Sequence, residues 1–317
     1  MKGSNTITRR RPLLYSSSMQ AASPQHPPLG KVGVLLEMIK FQHTVFAMPF
    51  ALMSMLVASH GRPGWGTLGW IVLAMIGARS SAMTFNRIVD RAIDARNPRT
   101  SARALPAGTV SVVEAWVFLL VMTALFVVAA WRLNSLALEL SPLALAVIWG
   151  YSLSKRFTKW SHALLGLALG VAPVGAWVAV TSAIGFPSVV LSASVVLWVA
   201  GFDVIYSLQD IEHDKSEGLH SIPSRWGPAK ALMASRVMHL LSAGLLFAFG
   251  IVAGLGPIYA VGAALSTILL AYEHSLVSAR DFTNVNAAFF TVNGILSIGM
   301  LAFTAAAVNL PLLMAQR

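Results

Sequence analysis

Apolar residues fill stretches of about 20 positions along nearly the whole chain, separated by short polar segments that carry most of the charge. A helix of that length crosses a hydrocarbon core of ~30 Å. Nine such stretches can be marked, over residues 33–59, 67–89, 110–131, 136–152, 161–182, 187–210, 230–252, 257–275 and 284–307. In lipid, every backbone N–H and C=O needs an internal partner, which favours helix in each of them. The expected fold class is an all-α, polytopic membrane protein with about nine transmembrane helices.

Composition strengthens this reading. Of 317 residues, 56% are hydrophobic and only 11% charged, and the mean hydropathy of +0.70 lies outside the usual range of a soluble domain. Residues 1–30 differ, with Arg9, Arg10 and Arg11, a serine run at Ser16 to Ser18, and Pro24, Pro27 and Pro28. They read as a disordered cytoplasmic tail, because only Pro12 to Tyr15 follows the arginines where a signal peptide needs an apolar core. Met19 is an alternative start. The absence of cysteine excludes thiolate metal sites, disulfides and cysteine nucleophiles. The net charge of +11 has no soluble basic domain to sit on, so the expected partner is the lipid bilayer and not nucleic acid.

Membrane topology accounts for the charge. The even-numbered connections hold Arg87, Arg91, Arg96, Arg99 and Arg103, then Lys155, Arg156 and Lys159, then Lys215, Arg225 and Lys230, and finally Arg280. The odd connections and the far end hold little beyond Arg62, Arg132 and Arg317. The positive-inside rule then puts the N-terminus and the even connections in the cytoplasm, and an odd helix count puts the C-terminus outside it.

The acidic residues are as unevenly placed, since seven of the twelve fall in two windows at expected cytoplasmic helix ends. In the first, Asn86, Asp90 and Asp94 recur every four residues, which stacks three oxygen-bearing side chains on one helix face. The second sets Asp203, Tyr206, Asp210 and Asp214 along a similar stripe, and adds Glu212 and Glu217. Like charges one turn apart repel unless something positive lies between them, and hard divalent cations take this kind of oxygen ligand. A single such pair reads as solvated surface; two, with five arginines beside the first, read as equipment for a diphosphate held by Mg²⁺ and guanidinium forks. A cation-coupled transporter is the competing class, but it predicts acids near the bilayer midplane.

The pattern Asn86, Asp90, Asp94, then Arg99-Thr100, Arg103, Leu105-Pro106 and Gly108, followed by Asp203, Tyr206, Asp210, Asp214 and Gly218, resembles the paired signatures of UbiA-type prenyltransferases. The resemblance covers nearly all of residues 31–307, and makes 31–310 one UbiA-type domain with its helices around a central cavity. The family's usual Asn-Asp opening is Asn86-Arg87 here, which removes any role for an acid at that position. Asn97-Pro98-Arg99-Thr100 and the run Glu217 to Pro223 are similar to a 4-hydroxybenzoate polyprenyltransferase-like subgroup, some of whose members are thought to work in the futalosine menaquinone route.

The resemblance implies transfer of a polyprenyl group from its diphosphate to an aromatic acid in quinone biosynthesis. The acid is 4-hydroxybenzoate or, alternatively, 1,4-dihydroxy-6-naphthoate. It implies Mg²⁺ held by the catalytic carboxylates Asp90, Asp94, Asp210 and Asp214 with Asn86 nearby. Arg99, Arg103, Lys155 and Arg156 are candidates for the diphosphate, against a reading as ordinary loop charge. Arg79 lies seven residues before Asn86, on the same stripe and within apolar helix, where a guanidinium needs an anion. The resemblance assigns it the acceptor's carboxylate; the alternative is a structural pairing with Asp203 or another helix carboxylate. Tyr151, Ser152, Asp203 and Tyr206 complete the expected substrate site, while His43 and His162 read as ordinary polar positions. The expected location is the cytoplasmic (inner) membrane, with the site facing the cytoplasm.

Overall fold

The computed structural model describes residues 30–39 and 46–314. The expected tail over residues 1–30 therefore lies, apart from Gly30, outside the described residues, as does His43. In chain order the helices are α1 (Lys31–Met38), α2 (Met48–Ala58), α3 (Trp65–Arg96), α4 (Val112–Leu133), α5 (Ser135–Ser154) and α6 (Ser161–Thr181). There follow α7 (Phe186–Tyr206), α8 (Ile211–Ser216), α9 (Ile222–Trp226), α10 (Pro228–Val252), α11 (Gly256–Ser275) and α12 (Asn293–Met314). Among the described residues, eight helical stretches are long and apolar enough to cross a membrane, α7 and α8 counting as one through the 3-10 turn that joins them. The first expected segment, 33–59, is divided between α1 and the eleven-residue α2.

Two local departures shape the site. Helix α3 continues to Arg96, past the expected end at residue 89, so Asp90 and Asp94 both stand on helix. It stops because Asn97 precedes Pro98: the proline ring disfavours α backbone in the residue before it, and Asn97 is extended at φ −92° and ψ 118°. The second stripe is not one continuous helix. A 3-10 turn over Ser207–Asp210 interrupts it, tightening the chain between Tyr206 and Asp214.

Helix α7 is the centre of the bundle, packed on α6 and α10. Close approach depends on small residues. A Cβ at Gly166 would lie 2.2 Å from the Val196 carbonyl oxygen, and one at Gly170 would lie 2.6 Å from Val196 Cγ2. Helix α3 meets α4 in the same way at Gly77, 2.8 Å from the Met122 carbonyl oxygen. Many polar groups inside the bundle are paired, as apolar surroundings favour. Pro142 removes one helical N–H from α5, and the Ser141 hydroxyl instead donates to the Leu138 carbonyl at 2.8 Å. Trp198 Nε1 donates to Asn293 Oδ1 at 2.6 Å, and Asn293 Nδ2 donates to Glu273 Oε1 at 3.0 Å, tying α7, α11 and α12 together. Trp198 is thus buried packing, on which Phe50 and Phe202 lean.

Gly166→Ala should separate α6 from α7 and destabilise the bundle by about 1–3 kcal/mol, the usual cost of overpacking. Gly150→Ala, whose new methyl meets nothing within 4 Å, is the control. Thermal unfolding in detergent should show a lower midpoint for Gly166→Ala than for wild type or the control. A midpoint equal to the control's would contradict this account of the α6–α7 contact.

Candidate active site

The two acidic windows and the loops that follow them enclose a polar cavity of about 850 Å³. Asp90, Asp94, Asp203, Asp210 and Asp214 all line it, with Asn86, Arg79, Arg99, Arg103 and Lys155. Tyr151, Ser152 and Tyr206 complete the expected set on its wall. Arg156 is the exception. It is not a lining residue but a buttress, donating to the Val89 carbonyl at 2.9 Å, the Ser152 carbonyl at 3.1 Å and Asp90 Oδ1 at 2.8 Å. A second, apolar pocket of about 440 Å³ lies among α3, α4, α5 and α6, and shares Arg79, Tyr151 and Leu169 with the polar cavity.

Three of the carboxylates are held by cations. Asp90 is bonded by Asn86 Nδ2 at 3.2 Å, one turn earlier on the same face, and pairs with Lys155 at 2.8 Å besides Arg156. Asp94 receives Arg103 NH1 on both oxygens at 2.8 Å. Asp210 is clamped from the other window by Arg99, whose Nε reaches Oδ1 at 3.0 Å and whose NH2 reaches Oδ2 at 2.6 Å. The remaining nitrogen of that fork donates to the Tyr206 hydroxyl at 3.1 Å. Burial alone would lower the Arg99 pKa, but the charge and hydrogen bonds of Asp210 more than offset it and raise it. At the rim, Arg96 closes a second cross-window pair with Glu217 and holds that carboxyl below its ordinary range.

The other two acids are met by a hydroxyl and an imidazole. The Ser221 hydroxyl donates to Asp214 Oδ2 at 2.7 Å, and Asp203 Oδ2 lies 2.7 Å from His162 Nδ1. The alternative pairing of Arg79 with Asp203 is therefore not what the structure contains. Arg79 meets no carboxylate among the described residues, and its buried Nε has no hydrogen-bond partner. Ser152 Oγ and His213 Nε2, on the same wall, are likewise buried and unpartnered. Buried polar atoms without protein partners are rare, and at a cavity wall they are positions where a polar ligand or water can bind.

Sequence reasoning missed three participants. His162, in the first turn of α6, joins the site across space through Asp203 of α7 and the Ile222 N–H, which no spacing reveals. Arg87, at the position that departs from the Asn-Asp opening, is buried; its Nε donates to the Met38 carbonyl at 3.3 Å and its NH1 lies 3.9 Å from Asp94. Asn97 accepts from the Arg99 N–H at 2.9 Å and so shapes the loop that delivers Arg99; its place before Pro98 was the available signal. The donor set suits a hard divalent cation in kind, being carboxylate and amide oxygen. Among the described residues no three acidic or histidine side chains are drawn together as metal ligands are. The Arg and Lys partners hold Asp90, Asp94 and Asp210 instead.

Residues 47–295 match the model of the UbiA prenyltransferase family. The chain belongs to that family. A UbiA homologue from Aeropyrum pernix K1 is 33% identical, with a TM-score of 0.73 covering 86% of this chain and 98% of that one. A UbiA homologue from Archaeoglobus fulgidus bound to GPP and Mg²⁺ is 18% identical and shares the fold, at a TM-score of 0.67 over 87% of this chain and 99% of that one. Among proteins of assigned function, the 4-hydroxybenzoate octaprenyltransferase of Vibrio atlanticus is 31% identical over 232 residues, 73% of this chain and 81% of that protein. The protein of that name from Sodalis glossinidius is 28% identical over 252 residues, 80% of this chain and 86% of that protein. The UbiA chain described here is an integral, multi-pass membrane protein.

The Arg99–Asp210 clamp gives a structural test of how the windows are joined. Asp210→Asn should loosen the loop from Asn97 to Val110, so that trypsin cuts after Arg99 several-fold faster than in wild type. An unchanged cleavage rate would contradict the clamp.

Proposed function

We propose that this UbiA protein is a 4-hydroxybenzoate polyprenyltransferase, with residues 31–310 forming one transmembrane catalytic domain. Its cavity faces the cytoplasm at the cytoplasmic membrane, a reading supported by the basic even-numbered connections. The observation that carries the substrate assignment is Arg79, a guanidinium inside the bundle that meets no carboxylate among the described residues and whose buried Nε is unpartnered. A buried cation of this kind calls for an anionic ligand, and the carboxylate of an aromatic acid matches its planar fork.

The chemistry follows from how the side chains are grouped. Arg99, Arg103 and Lys155 line the cavity where a diphosphate would lie, and Arg156 holds Asp90 from behind. A divalent cation held by Asp90, Asp94, Asp210 and Asp214 would neutralise charge on the departing diphosphate. The guanidinium groups and Lys155 bind its remaining oxygens as the allylic C–O bond breaks. The ring carbon ortho to the phenol then bonds to the prenyl carbon, and that ring carbon's proton leaves. Asp203, one of whose oxygens faces His162, offers the other as acceptor to the phenolic hydroxyl. The apolar pocket beside Arg79 and Tyr151 offers dry volume for the prenyl chain. Tyr206, its ring 4.2 Å from Phe289 and under Arg99, closes the cavity wall.

Purified protein given a polyprenyl diphosphate and Mg²⁺ should prenylate 4-hydroxybenzoate in preference to 1,4-dihydroxy-6-naphthoate, as read by product mass. EDTA should abolish the reaction and excess Mg²⁺ restore it. Preference for the naphthoate would move the acceptor assignment, and full activity in EDTA would remove the metal from it.

Arg79→Ala should raise the apparent KM for the aromatic acid ~30-fold or more, since truncating one partner of a buried charged pair costs about 2–5 kcal/mol. The KM for the diphosphate should change little, and lysine should restore only part of the loss because it lacks the planar fork. Equal damage to both constants would relocate Arg79 to the diphosphate or to the framework.

A further inference from the structure

The five cavity carboxylates fall into two kinds. Asp90, Asp94 and Asp210 are each met by arginine or lysine, as diphosphate and metal chemistry requires of a balanced site. Asp203 is different: among the described residues its one bonded partner is the ring of His162, at 2.7 Å. The far side of that ring is also occupied. The backbone N–H of Ile222 donates to His162 Nε2 at 3.2 Å. A backbone amide nitrogen can only donate, so Nε2 is the acceptor and the proton of the imidazole is on Nδ1, directed at Asp203.

The donor that fixes the tautomer is itself firmly held. Ile222 is fully buried, and Ser221 before it caps α9 through reciprocal hydrogen bonds with Ser224, at 3.2 Å from the Ser224 N–H and 2.9 Å from its hydroxyl. The same Ser221 hydroxyl donates to Asp214. Consecutive residues of one capped turn therefore hold Asp214 directly and Asp203 through the imidazole. His162 is 3% exposed and has no other bonded side chain among the described residues, so the ring has little freedom to leave this line.

We infer that His162 is a positioning residue for the acceptor: it binds one oxygen of Asp203 with an uncharged donor and leaves the other for the phenolic hydroxyl. This role rests on the prenyl-transfer reading above. An arginine or lysine in its place would draw the carboxylate's charge to itself, as Arg99 does at Asp210. A neutral N–H fixes the direction of the carboxylate and leaves its charge to the substrate. Such a role requires one donor and one acceptor on opposite ends of a planar group, which a glutamine amide also supplies.

Three full-length variants separate this role from simple packing. His162→Leu removes both hydrogen bonds, and should raise the apparent KM for 4-hydroxybenzoate about 10- to 100-fold, the range for a lost hydrogen bond to a charged group. The KM for the polyprenyl diphosphate should stay within about 3-fold, because the cations that bind it are untouched. His162→Gln should recover most of the loss, whereas His162→Phe, which keeps a ring but no hydrogen bond, should behave as leucine does. Leucine at wild-type values, glutamine no better than phenylalanine, or a parallel rise in both constants would each overturn the inference.

A second measurement does not depend on turnover. In histidine-¹⁵N-labelled protein, the resonances of His162, assigned by their loss in His162→Gln, should report a protonated Nδ1 and an unprotonated Nε2. The opposite tautomer would overturn the inference even in a fully active enzyme. Wild-type protein that transfers no prenyl group to either acid would refute the functional reading, and the ring's tautomer would still decide whether His162 holds Asp203 as described.

Discussion

Carboxylates gathered at the end of a membrane helix repel one another, and in this chain the repulsion is relieved by cations from other parts of the sequence. Asp90 is answered by Lys155 and Arg156 beyond α5, Asp94 by Arg103, and Asp210 by Arg99 from the opposite window. These pairs do more than neutralise. The cations on Asp90 and Asp210 come from segments distant in sequence and Arg103 from the loop nine residues past Asp94; together the pairs hold α3, α5 and α7 around one space. In the proposed reaction a diphosphate would compete with Asp210 for the Arg99 fork and with Asp94 for Arg103, and the carboxylates so released would be oxygen donors for a divalent cation.

Most of this was legible in the chain. Hydropathy placed the long helices in order because lipid leaves few alternatives to helix, but it counted nine where eight of the described stretches are long and apolar enough to cross; the four-residue spacing of Asn86, Asp90 and Asp94 put them on one face, where Asn86 does bond Asp90. Helix α3 ran on past its expected end because the pattern was read by hydropathy, which falls once charges begin, whereas the true stop is the proline after Asn97. The interruption between Tyr206 and Asp214 had no such marker; a 3-10 turn keeps nearly the same residue spacing as a helix. Contacts across helices were the least readable. Nothing near His162 announces that it faces Asp203, and Arg156, alike in sequence to its neighbour Lys155, turned out to support the wall without being part of it.

The site that results divides its labour by charge. Arginine and lysine surround Asp90, Asp94 and Asp210, whereas Asp203 is held by an imidazole and Arg79 has no carboxylate partner among the described residues. The proposed acceptor, with a carboxylate at one end and a hydroxyl at the other, would engage Arg79 and the second oxygen of Asp203. The small residues of α6 matter to this arrangement because they let α6 approach α7 closely enough for His162 to reach Asp203.

The central claim is that the two windows act as one diphosphate site, and binding tests it without requiring turnover. Inorganic diphosphate with Mg²⁺ should be titrated calorimetrically into detergent-solubilised wild type, Asp94→Asn and Asp214→Asn. Each variant alters a single window, and both should bind at least ~10-fold more weakly than wild type, as expected for loss of a charge-assisted contact. Wild-type affinity in either variant would mean that its window is not part of the site, and would contradict the account.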